Sequence, residues 1–157
     1  MCSELLVAFE LLKHVADRLN AKGLKQWGYW MNPPQEKITW IEEGFQKGEF
    51  YFIVFDDQIA GMFRLLTEDK LYWGAQETSA RYIHSLVVKK NYSGKGIGEQ
   101  VILKVKEDCM KLNIQYLRLD CDAQNNDLCN YYEQQGFKRV GQKQMPFSLN
   151  NLYELIV

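Results

Sequence analysis

The most constraining stretch of this chain runs from residue 82 to 98. A β-branched segment, Tyr82-Ile83-His84-Ser85-Leu86-Val87-Val88, leads through Lys89-Lys90-Asn91 into Ser93-Gly94-Lys95-Gly96-Ile97-Gly98. Helical spacing begins at the end of that turn, at Ile97, Val101, Val105 and Cys109, and continues to Leu112. The period therefore changes from that of a strand to that of a helix across the glycines. The first N–H groups of any helix lack intrahelical partners. Glycines there let an anion approach the main chain closely, and the helix dipole favours negative charge. The turn is a candidate phosphate site, with a connector that needs glycine only for turning as the plain alternative.

Two other phosphate-binding folds compete for these residues. A P-loop needs Lys-Ser or Lys-Thr after its last glycine, and neither follows here. A dinucleotide-binding fold of the Rossmann type would place an acid at the end of the next strand, where Asp120 stands. Against it, the third fingerprint glycine is missing and a hairpin precedes the turn. Too little chain also follows Asp120 to supply the remaining parallel strands.

The rest of the chain reads in order. Residues 5–19 have apolar positions at helical spacing, with Ser3 as N-cap and Gly23 beyond the end. After an aromatic stretch and the Pro33-Pro34 pair, Ile38, Ile41 and Phe45 mark a second helix stopped by Gly44 and Gly48. Residues 50–55 and 59–66 predict a hairpin around Asp56-Asp57-Gln58. A strand at 116–121, a helix at 127–135 closed by Gly136, and strands near 138–144 and 152–156 complete the chain. The β-helix-β unit from Ile83 to Cys121 requires a right-handed crossover between parallel strands, whereas hairpins are antiparallel. The expected fold is α/β, a mixed, mostly antiparallel central sheet with one parallel pair, flanked by about four helices in a single domain over residues 1–157.

Composition narrows the function classes. With 157 residues, 46% of them hydrophobic, the chain can build a real core. A net charge of −1 offers no global attraction for nucleic acid or an anionic membrane, so any anion site must be local. Cys2, Cys109, Cys121 and Cys129 form no C-x-x-C pair and no metal-ligand spacing with His14 and His84. Reduced thiols in a cytoplasmic protein without a metal are expected. The N-terminal residues lack the basic start and uninterrupted apolar run of a signal peptide or membrane span.

Two motifs together resemble the GNAT superfamily of acyl-CoA-dependent N-acyltransferases. The first is the strand end Leu86-Val87-Val88 followed by the glycine turn, similar to the family's [QR]-x-x-G-x-[GA], with Ser93 where Gln or Arg is usual. The second is Asn125, then Tyr132, Glu133, Gln134, Gln135, Gly136 and Phe137, which matches the family's Asn, Tyr and Gly-Phe landmarks in register. The likeness covers residues 50–157 well and extends more loosely to Gly23-Leu24-Lys25-Gln26-Trp27. No clear first strand precedes the first helix, so the sheet either lacks an edge strand or uses residues 1–6 irregularly.

The resemblance implies that acetyl-CoA is the cosubstrate. Leu86, Val87 and Val88 would bind the pantetheine arm and the thioester carbonyl through their main chain. Ser93, Gly94, Lys95, Gly96, Ile97 and Gly98 would hold the pyrophosphate, with Asn125 as a further CoA contact or simply a helix cap. Amine attack on a thioester builds negative charge on the carbonyl oxygen, which a prearranged N–H stabilises. The departing thiolate needs a proton, for which Tyr132 is the expected acid. Asp120 is the expected base, or else a structural partner of Arg118 or a helix end. His84 titrates in the right range to serve as base, and by the strand period of two it shares a face with Leu86 as a contact for the acceptor. Trp27, with Tyr29 and Trp30, would wall the acceptor site. The implied reaction is direct acetyl transfer to a primary amine of a small molecule in a ternary complex. A protein or peptide amine as acceptor, or a non-catalytic acyl-CoA-binding module, are the alternatives. A homodimer is left open.

Overall fold

The structure is a computed structural model that describes residues 3–25 and 27–157. In chain order the elements are α1 (Ser3–Ala21), α2 (Gln35–Gln46), β1 (Phe50–Phe55), β2 (Gln58–Leu66), α3 (Lys70–Trp73), β3 (Ala80–Val88), α4 (Ile97–Lys111), β4 (Tyr116–Asp122), α5 (Asn126–Gln134), β5 (Lys138–Gln144) and β6 (Leu149–Ile156). Short 3-10 turns occupy Gly28–Met31 and Lys90–Tyr92. The strands form a six-stranded sheet in the order β1-β2-β3-β4-β6-β5. Strand β3 pairs parallel with β4, from Ala80 opposite Tyr116 to Ile83 opposite Leu119. The pairs β1–β2, β4–β6 and β5–β6 are antiparallel. The expected mixed sheet is what forms.

Chain packing divides the residues into two compact units. One holds the chain up to Leu65 together with Ser85–Gly98, and the other holds Leu66–His84 and Glu99–Val157. In the first, Ala8, Leu11, Leu12, Val15 and Ala16 make the buried stripe of α1 at helical spacing and pack with Trp30, Ile41, Met62 and Val87. In the second, Ile102, Val105 and Cys109 of α4, Leu117 and Leu119 of β4 and Tyr153 of β6 are among the buried residues.

Three local expectations need correction. Ser3 is already the first residue of α1, so it lies inside the helix, and the described residues 3–6 make no irregular strand. Met1, Cys2 and Gln26 lie outside the described residues. Gly44 does not stop α2, which runs on to Gln46. Its lack of a side chain has another cause: a Cβ there would meet Phe50 Cε2 at 2.5 Å and the Arg64 guanidinium at 2.8 Å. Arg64 is buried and donates to the Trp40 carbonyl at 2.7 Å and to Glu49 Oε2, so α2 can seat this cation only through a glycine. Finally, the polar segment after β2 contains the single-turn helix α3, which its four residues were too few to announce.

Four of the helices end alike. In α1, α2, α4 and α5 the left-handed residue after the cap is Gly23, Gly48, Asn113 or Gly136, with φ of 77°, 67°, 55° and 91°. Each returns its N–H to the helix, as does the next residue: Leu24 to Leu19, Glu49 to Gly44, Ile114 to Cys109 and Phe137 to Tyr132. These paired bonds satisfy carbonyls that a helix end would otherwise leave unpaired.

Gly61 sets how closely β2 and β3 approach. A Cβ on Gly61 would lie 2.0 Å from the Val87 carbonyl oxygen, and beside it Lys89 N donates to the Ala60 carbonyl at 2.7 Å. Gly61→Ala is expected to destabilise the protein by about 1–3 kcal/mol, because backbone rather than a flexible side chain must move. A fall in the urea midpoint at unchanged m-value is the measurement that checks this.

Candidate active site

The glycine turn keeps the character its sequence predicts. Ser93, extended at φ −63° and ψ 145°, closes the 3-10 turn after β3, and α4 begins at Ile97. Gly94 and Gly96 are left-handed at φ 76° and 72°, and a Cβ on either would meet nothing within 4 Å. Their glycines are thus required by backbone conformation, while the space beside them stays clear for a ligand. The Lys95 ammonium lies 5.3 Å from the Phe55 ring centroid and 5.4 Å from that of Tyr92. Aromatic faces therefore hold a positive charge at the turn. In the strand before it, Val87 is buried while Leu86 and Val88 are half-buried.

Ser85 separates His84 from Leu86 with a φ of 51°. A left-handed residue breaks strict alternation, so the period of two does not place His84 and Leu86 on one face. Such a conformation costs a non-glycine residue about 1–3 kcal/mol and is typical of functional sites.

The second motif becomes a compact helix. Asn125 caps α5 by accepting from Leu128 N at 3.2 Å through Oδ1, which leaves its Nδ2 outside the cap. Gly136 closes the helix, and Phe137 folds back to place its ring 5.8 Å from that of Tyr132. Tyr132 is buried against Phe137, Tyr131 and Tyr153. Burial pushes its phenol well above the ordinary tyrosine range, helped by the neighbouring Cys121. The phenol is thus held in its protonated form and is a weaker acid than an exposed tyrosine. Cys121 and Cys129 are free thiols with sulfurs 3.6 Å apart, and burial first, then Cys129, raises the Cys121 thiol.

Asp120 and His84 meet, together with a residue that sequence reading missed. His84 Nε2 lies 2.8 Å from Asp69 Oδ2, and His84 Nδ1 lies 3.6 Å from Asp120 Oδ1. Asp69 precedes α3 and caps it, its Oδ1 accepting from Tyr72 N at 3.2 Å, while the Tyr72 ring sits 5.3 Å from the His84 ring. Asp120 Oδ2 accepts from Asn150 Nδ2 at 2.6 Å. The expected structural partner of Asp120, Arg118, goes elsewhere: it donates to Glu154 at 2.7 Å, to the Tyr82 hydroxyl at 2.9 Å and to Thr78 at 3.0 Å. Among the described residues, Asp69, His84 and Asp120 are the group of acidic and imidazole side chains with ligand atoms within 4.8 Å of one another. No spacing signal could have revealed Asp69, because only the return of the chain along β3 brings it to His84.

The aromatic stretch divides by role. Trp30 is core, Tyr29 carries the Lys37 ammonium 4.8 Å from its ring centroid, and Trp27 stays half-buried against the core of its unit. None of the described helices is long and apolar enough to cross a membrane.

Comparison with known proteins gives this arrangement a family. The sequence profile described as "Acetyltransferase (GNAT) family" matches residues 25–137. The chain belongs to the GNAT family. That makes it an acyl-CoA-dependent acetyltransferase. It is 26% identical over 136 residues to the uncharacterized N-acetyltransferase YesJ of Bacillus subtilis (strain 168), covering 83% of this chain and 74% of that protein. A GNAT-family acetyltransferase of Listeria monocytogenes shares its fold at a TM-score of 0.77 and 22% identity, over 99% of this chain and 90% of that one. So does a GNAT-family acetyltransferase of Elizabethkingia anophelis with acetyl-CoA bound, at 0.61 and 15%, over 80% and 85%.

Burial of Tyr132 has a consequence for stability. An unfolded tyrosine ionises near pH 10, whereas the native phenol titrates higher. Its contribution is therefore complete below about pH 10 and is lost as pH rises above that value. Tyr132→Phe is expected to make the alkaline loss of stability shallower by up to about 1.4 kcal/mol per pH unit. Urea midpoints of both proteins measured between pH 9 and 11 will show it.

Proposed function

We propose that this acetyltransferase moves an acetyl group from acetyl-CoA to a primary amine of a small molecule, by direct attack in a ternary complex. The observation that carries the cosubstrate assignment is the turn opening α4, where two left-handed glycines leave clear space at a helix N-terminus. The acetyl-CoA bound to the Elizabethkingia protein, which shares the fold, supports that assignment. In this reading the backbone of Ser93, Gly94, Lys95, Gly96, Ile97 and Gly98 takes the pyrophosphate, Asn125 contributes Nδ2, and main-chain groups of Leu86, Val87 and Val88 bind the pantetheine arm and the carbonyl oxygen.

The proton accounting assigns the rest. The acceptor enters as an ammonium and gives one proton to the pair formed by Asp120 and His84. The neutral nitrogen then attacks the thioester carbon, forming C–N as C–S breaks. The nitrogen then sheds a second proton, which restores the Tyr132 phenol after Tyr132 has protonated the departing thiolate, so each turnover releases one proton net. Trp27 is assigned to the acceptor side. The thiols are left out of covalent chemistry, since burial raises Cys121 and keeps it a poor nucleophile.

Thiol release measured over a panel of small amines and peptides with acetyl-CoA tests the reading. Turnover with small amines is expected; turnover with peptides alone would move the acceptor to protein, and none would leave a binding module. Gly96→Trp should abolish CoA binding in calorimetry, and unchanged binding would remove the turn from the site. Tyr132→Phe should lower kcat by about a hundredfold or more with CoA affinity intact.

A further inference from the structure

His84 is held between two carboxylates on different elements, and the two contacts differ in kind. An ionised carboxylate only accepts hydrogen bonds, so the 2.8 Å contact requires the proton of the neutral ring to sit on Nε2, donated to Asp69 Oδ2. The lone pair of the neutral ring is then on Nδ1, the atom 3.6 Å from Asp120 Oδ1. That separation is too long for a hydrogen bond between them, yet one ammonium nitrogen can donate to both acceptors across it. Each carboxylate is itself anchored, Asp69 Oδ1 by Tyr72 N and Asp120 Oδ2 by Asn150 Nδ2. Both side chains are at least nine-tenths buried, and that of His84 is 12% exposed.

We infer that Asp69 is a positioning residue for amine deprotonation: it fixes His84 in the Nε2–H tautomer, so that His84 Nδ1 takes the proton of an acceptor ammonium held by Asp120. The inference rests on the acetyl-transfer reading and deepens it by dividing the base between three residues. In the step, one N–H bond of the ammonium breaks and Nδ1–H forms, leaving a neutral amine and an imidazolium flanked by Asp69 and Asp120. The imidazolium then loses that proton to water before the next turnover. The groups shown facing the ring are Asp69 and Tyr72 from the α3 segment and Asp120 from β4, with Asn150 of β6 behind Asp120.

Asp69→Asn tests this cleanly, because Asn caps a helix as well as Asp does and so keeps α3 while its amide can donate to Nε2 and reverse the tautomer. Two readouts decide. In 15N spectra of the full-length protein, with His84 resonances assigned by their loss in His84→Gln, the native ring is expected as Nε2–H and the Asp69→Asn ring as Nδ1–H. This arm needs no turnover, so it separates the inference from the acetyl-transfer reading, which fails instead if native protein releases no thiol with any acceptor. In turnover, Asp69→Asn is expected to lose about a hundredfold or more in kcat. The rising limb of its pH–rate profile should move about one unit or more to lower pH, since a carboxylate that favours imidazolium has gone. The double variant Asp69→Asn with His84→Gln should be no slower than His84→Gln alone. An Nδ1–H ring in native protein, a kcat within about threefold of native, or losses that multiply in the double variant would each overturn it.

Discussion

The unit that holds Asp69, His84, Asp120 and Tyr132 is organised around one buried cation, Arg118. Its side chain is 5% exposed and meets partners from several directions: Glu154 on β6, Tyr82 on β3, Thr78 before β3, and the faces of Trp73 and Tyr116. Burial alone would weaken its charge, but the hydrogen bonds that Arg118 donates to Glu154 and Tyr82 more than offset this and raise its pKa further. Removing one member of such a pair typically costs about 3–5 kcal/mol, since the remaining charge is stranded. The register places these partners: Arg118 lies opposite Tyr82 on one side and Glu154 on the other. A one-residue slip of β4 would turn the cation to the other face, so the charge enforces the register that puts Asp120 beside His84.

The other unit repeats the device with Arg64, stacked 4.0 Å from the Trp40 ring centroid and bonded to Glu49. There the cation joins α2 to the β1–β2 hairpin, and Gly44 is the space it needs. Each unit thus fixes a strand with a charge rather than with apolar contact alone.

How much of this was legible in the sequence follows from the range of each signal. The helices α1, α2, α4 and α5 and the β1–β2 hairpin announced themselves by period, and the glycine turn and the Asn125–Tyr132 register announced the family. These are all local patterns. What escaped was what only folding brings together. Asp69 reads as a polar residue in a loop until β3 returns His84 to it. Gly61 reads as a weak point in a strand until the Val87 carbonyl arrives against it. Gly44 reads as a stop, because the side chain that excludes a Cβ lies on another element. Ser85 gives no warning of a positive φ, since serine is not a residue chosen for one.

The shared way in which four helices end carries a consequence beyond hydrogen-bond accounting. Each stop is written within about six residues of chain, by one left-handed residue and two returning N–H groups. Nothing beyond the stop is needed to halt the helix, so the connection that follows Leu24 and leads to α2 is relieved of that duty. Doubling the length of such a flexible connection costs only about 0.6 kcal/mol. The scaffold can therefore lengthen or rewrite this connection over evolutionary time and leave the end of α1 where it is.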